Sequence, residues 1–102
     1  MTDLKTYPYD TAEFLDSEEL VAAYLDEALA SGDARIIAEA IGTVARARGM
    51  TQVAKGAGVS RENLYRALSA DGNPELATVL RVITALGLRL TVTPNDTSSQ
   101  KS

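Results

Sequence analysis

Between residues 51 and 66 the chain sets out side chains suited to gripping a polyanion and reading base edges: Thr51, Gln52, Ser60, Arg61, Glu62, Asn63, Tyr65 and Arg66. A guanidinium offers a fork of donors to a phosphate or a guanine edge. An asparagine amide matches adenine, and hydroxyl groups reach phosphates. Arg61, Glu62, Tyr65, Arg66 and Ser69 recur at three- and four-residue spacing, which places them on one face of a helix with Asn63 at its margin. Arg61 and Arg66 are the first candidates for contact. Glu62 either accepts from cytosine or simply suits the positive first turn of its helix. The competing reading for the arginines is a solvated helix face, and for Tyr65 it is packing against a neighbouring helix.

Other chemistries find less support. The chain of 102 residues has no cysteine and no histidine. Disulfides, thiolate metal sites and imidazole acid–base catalysis are therefore excluded. Carboxylates at 18, 19, 26 and 27 fall in pairs, but without metal-ligand spacing they read as a solvated helix face. No catalytic residue, metal or cofactor is expected, and the chain is not expected to be an enzyme. The opening MTDLKTYPYD lacks the basic and apolar regions of a secretory signal, and no apolar run reaches bilayer-spanning length. A cytoplasmic setting is expected.

Charge is strongly uneven. Residues 1–44 balance at −8, residues 45–67 at +4, and the remainder at zero, for a net −4. Two surfaces with different partners are the expectation.

The candidate face needs elements to hold it. Apolar residues form 45% of the chain and aromatics only 5%, which favours an alanine- and leucine-rich helical core. Pro8 between Tyr7 and Tyr9 suggests an extended arm over residues 1–15, with an edge strand at 4–9. Asp16 is the expected cap of a first helix ending near Leu29, with Leu20, Val21, Tyr24, Leu25, Ala28 and Leu29 on its apolar stripe. Ser31-Gly32 ends it. Asp33 caps a second helix to Arg48, with Ile36, Ile37, Ala40, Ile41, Val44 and Ala45 on its apolar stripe. Arg46 and Arg48 suit its last turn, as helix-end cations or phosphate clamps.

Thr51 is expected to cap a third helix over 52–57, and Ser60 a fourth over 61–69. Asp71-Gly72-Asn73-Pro74 forms a turn. A fifth helix over 75–86 turns Leu76, Val79, Leu80, Ile83 and Leu86 inward. LRLTVT at 88–93 alternates like a strand, for which the arm or a second copy would supply the partner. The domain is expected over 16–93, followed by a disordered tail over 94–102.

Ala54, Gly58 and Leu64, with a capping serine after the turn, follow the pattern of a helix-turn-helix. The small residue lets two helices cross, and the glycine supplies positive φ in the turn. GVSRENLYRALSADGNPELATVLRVITALGLRL (58–90) resembles the Cro/C1-type helix-turn-helix domains. With YPYDTAEFLDSEELVAAYLDEAL (7–29), ARARGMTQVAKGAGVSRENLYRAL (45–68) and DGNPELATVL (71–80), the chain more narrowly resembles the addiction module antidote family, the HigA-like antitoxins. That resemblance implies an all-α, five-helix Cro/C1-type domain with a short C-terminal β-strand. It also implies a homodimeric repressor that binds operator DNA, autoregulates its operon and neutralises a small basic RelE/ParE-like toxin of a type II toxin–antitoxin module. The alternative is a stand-alone phage-like helix-turn-helix regulator without a toxin. One departure stands out. Met50 occupies the point, four before the small Ala54, where Cro/C1-type domains usually carry Gln. The third helix is therefore expected to be half a turn shorter, with Thr51 or Gln52 replacing that glutamine's phosphate contact.

Overall fold

The computed structural model describes residues 17–69 and 71–95, and its described elements are five α-helices. They are α1 (Glu18–Ala30), α2 (Ala34–Arg48), α3 (Met50–Ala57), α4 (Arg61–Ala67) and α5 (Leu76–Ala85). The all-α class is as expected. The arm at 1–15, its strand at 4–9, Asp16 and tail residues 96–102 lie outside the described residues.

The helix boundaries follow from local chemistry. Ser17 caps α1, its hydroxyl accepting from the Leu20 amide at 3.0 Å. The cap thus falls one residue later than the expected Asp16. Serine has the same short acceptor, and the extended backbone at Ser17 presents it to the first turn. Asp33 caps α2 through its carboxylate and the Arg35 amide, 2.9 Å apart. Gly49, at φ 109°, breaks the chain between α2 and α3.

The start of α3 departs from expectation. Thr51 does not cap it; the helix begins at Met50 and has no side-chain cap. The Gly49 carbonyl accepts from the Val53 amide and closes the first turn. The Met50 side chain is buried and anchors that turn. The helix is therefore not shortened: Thr51 and Gln52 sit inside its first turn, both exposed.

One core holds these helices. It includes Val21 and Leu25 of α1, Ile41, Val44 and Ala45 of α2, and Met50, Val53, Ala54 and Ala57 of α3. Leu64, Leu68, Val82, Ile83 and Leu86 complete it. Fully burying a side chain such as Leu64 stabilises the fold by about 2–3 kcal/mol. Gly56 lets α3 lie close to α5, since a Cβ there would sit 3.1 Å from that of Ala85.

Two expectations fail at the C-terminal side. Leu76 and Leu80 do not point inward; they are 68% and 43% exposed. Val79, Ile83 and Leu86 do face the core as expected, and Val82 joins them in place of Leu76 and Leu80. LATVLRVITA is apolar nearly all round, so its periodicity fits two stripes, and packing on α3 selects the second. Nor does 88–93 form a strand among the described residues. A strand exists only through a partner ladder, and none of the described elements offers one. Val92 is 96% exposed.

Candidate nucleic-acid interface

The turn joining α3 to α4 is set by one residue. Gly58 lies in the left-handed region at φ 74° and ψ 28°. From there its amide donates to the Lys55 carbonyl at 3.2 Å, and the Val59 amide donates to the Ala54 carbonyl at 3.0 Å. Orphan carbonyls at the end of α3 are thereby satisfied, and the chain turns sharply. Ser60 then opens α4, its Oγ accepting from the Asn63 amide at 3.0 Å. Loss of such a cap typically costs about 1 kcal/mol.

The second helix is pinned from beneath. Leu64 is wholly buried and Leu68 nearly so. The Leu68 end rests on α2 at Gly42, where an added Cβ would stand 2.8 Å from the Leu68 carbonyl oxygen and 3.3 Å from the Leu68 Cβ. Gly42 went unnoticed in the sequence, although a glycine inside an amphipathic helix is itself a sign of close packing. Met50 and Gly72 were noted in the sequence, but their roles as a core anchor and a close-packed turn residue were not foreseen. A Cβ on Gly72 would run into the Ala67 and Arg66 carbonyl oxygens, so the 71–74 turn folds tightly under the end of α4.

With Leu64 inward, the outer face of α4 is fixed. All eight candidates, Thr51, Gln52, Ser60, Arg61, Glu62, Asn63, Tyr65 and Arg66, are exposed. The Arg61 guanidinium lies 5.5 Å from the centroid of the Tyr65 ring. The Arg66 Nη1 donates to Asn63 Oδ1 at 3.0 Å. These contacts hold two cations on one short helix. Cation–π contact at an exposed site is worth about 0.5–1 kcal/mol, enough to orient Arg61 without immobilising it. Tyr65 is 41% exposed, with its ring under Arg61, so it is a surface residue and not core packing. Glu62 stands in the first turn of α4, where a carboxylate favours the helix dipole.

Met50, where the Cro/C1-type glutamine would be, is buried and has no reach to solvent. Arg46 and Arg48 are not brought to one place. Arg46 lies along Gly42 and donates to Thr43 Oγ1 at 3.5 Å. Arg48 is half-buried beside Gln52, Ala85 and Leu86. Among the described residues no group of His, Cys, Asp or Glu could hold a metal ion, and no helix is long and apolar enough to cross a membrane.

Comparison with known proteins fits this geometry. Residues 5–94 match a family described as "Probable addiction module antidote protein". The chain is also similar to an uncharacterised protein of Haemophilus influenzae, at 50% identity over 84 residues, covering 82% of this chain and 87% of the relative. No solved structure matches it. On the family match and this kinship, the chain belongs to the addiction module antidote family.

Proposed function

We propose that this antidote is the antitoxin of a type II toxin–antitoxin module and a DNA-binding repressor of its own operon. The observation that carries the DNA-binding part is the α3–Gly58–α4 unit. Its second helix is anchored by Leu64 and Leu68 and turns Arg61, Asn63, Tyr65 and Arg66 to solvent. Such a helix fits a major groove. Arg61 and Arg66 take guanine edges or phosphates and Asn63 favours adenine, while Ser60, Tyr65, Thr51 and Gln52 reach the backbone. Glu62 accepts from a cytosine amino group or stays at the rim.

The acidity of the chain does not oppose this reading. The excess of acids lies in residues 1–44, whereas residues 45–67 balance at +4. The acidic part suits a small basic toxin of the RelE/ParE-like class, which the antidote neutralises by direct binding. We further propose that it works as a homodimer in the cytoplasm, presenting two copies of α4 to half-sites about 34 Å apart. No catalytic role is proposed for it.

The test has two parts. A short open reading frame for a basic protein is expected beside the gene, and its product should arrest growth unless this chain is co-expressed. A promoter fragment from upstream of the pair should be silenced by this chain in a reporter assay. A solitary gene that still silences its promoter would favour the stand-alone regulator.

A further inference from the structure

A groove of about 500 Å³ runs between α1 and α2; of the residues expected on the reading face, Ser69 lines it and Arg61, Glu62, Tyr65 and Arg66 do not. Its floor is small: Ala28 and Ala40 are buried and leave room above them. Tyr24 of α1 and Ile36 of α2 line it with apolar surface; Tyr24 is half-buried and Ile36 is 46% exposed. Glu27 and Glu39, one from each helix, add carboxylates. One end is polar, with Thr43 and Ser69, and carries a cation, Arg46, away from the Glu27 and Glu39 carboxylates that the partner's charges would meet.

We infer that this groove docks an amphipathic basic segment of a protein partner, with an apolar side chain seated over Ala28 and Ala40 and flanking lysines or arginines on Glu27 and Glu39. The inference rests on the antidote reading and names the surface by which it would operate. Charge decides the occupant. The whole of α1 carries Glu18, Glu19, Asp26 and Glu27 and no cation. Residues 1–16 hold four acids against Lys5, so the chain's own N-terminal segment meets repulsion here, as does a second copy of the same surface. A cationic helix gains on both counts. Its apolar face finds exposed Ile36 and the small floor, and its charges find carboxylates at the rim. Nucleic acid, being anionic, is the wrong partner for this face.

The experiment is calorimetric titration of the full chain with the basic protein encoded beside it. Ile36→Asn should weaken binding by about thirty-fold, the loss typical of a central apolar anchor. Glu27→Gln with Glu39→Gln should weaken it by about tenfold and flatten its salt dependence. Leu76→Asn with Glu75→Gln, an exposed pair at the start of α5, should leave it unchanged. All three variants should retain promoter DNA as the parent does. Binding within twofold of the parent for both groove variants overturns the proposal. So does a change of oligomeric mass in them without loss of binding, which assigns the groove to a second copy.

If the parent chain fails to bind that protein, the antidote reading fails separately. The groove is then read by NMR with a synthetic leucine–lysine amphipathic helix. Shifts centred on Tyr24, Ile36, Ala40 and Thr43 support the proposal, and scattered or absent shifts overturn it. Groove signals that move in the free chain on replacing Tyr7 and Tyr9 by alanine also overturn it, since residues 1–16 would then be the occupant.

Discussion

Gly42→Ala should destabilise this protein, although the same change in an exposed helix would stabilise it. In the interior of α2 alanine gains about 1 kcal/mol of helix propensity over glycine. Against that stands a contact. The new Cβ would lie 2.8 Å from the Leu68 carbonyl oxygen, whereas ordinary contact begins near 3.4 Å, so the two must part by about 0.6 Å. The obstructing atom is backbone, at the residue that closes α4, so no rotamer change relieves it. Overpacking of this kind costs about 1–3 kcal/mol, which exceeds the propensity gain over most of that range. A net loss near 1 kcal/mol lowers Tm by roughly 4–8 °C in a domain of this size. Thermal unfolding followed by circular dichroism reads it directly. The displacement falls on the end of α4, so DNA retention should also weaken several-fold, with Arg61 and Arg66 still in place. A Tm equal to or above that of the parent would refute the reasoning, because the helix would then be seating α4 without the close approach at Gly42.

Further outcomes follow from the turn and the exposed face. Ser60→Ala should cost about 1 kcal/mol through loss of the cap on the Asn63 amide, with Ser60→Thr recovering most of it in denaturant titrations. Gly58→Ala should cost about 1–2 kcal/mol, since a Cβ at φ 74° is strained even in open space. Tyr65→Phe should keep the ring beneath Arg61 and lose only a hydroxyl contact, so its DNA affinity should exceed that of Tyr65→Ala in fluorescence anisotropy. If Arg61 and Arg66 each neutralise one phosphate, replacing either one alone by alanine should reduce the slope of log K against log salt by about 0.9.

The sequence was most informative where a single local interaction decides the structure. Asp33, Ser60 and Gly58 each act within three or four residues, and each is found doing what its type suggests. The face of α4 was legible for the same reason, because burying Leu64 and Leu68 leaves only one side for Arg61, Tyr65 and Arg66. Reading failed where distant parts of the chain decide. Thr51 looked like a cap, but the fit of Met50 into the core starts α3 earlier. The apolar excess of α5 hid which stripe faces α3, so Leu76 and Leu80 were misplaced. Alternation at 88–93 describes a side-chain pattern, not a hydrogen-bonded partner. Gly42 has meaning only once Leu68 is known to lie against it.

The central claim, that α4 is the element that reads DNA, is tested most directly by the Arg61→Ala, Arg66→Ala double variant. The measurement is retention of a fragment from upstream of the chain's own gene, with helical circular dichroism recorded on the same sample. Both side chains are exposed and neither belongs to the core, so the helical signal should be unchanged. Retention should be lost. Retention equal to that of the parent, with the fold intact, would contradict the assignment of this helix to DNA.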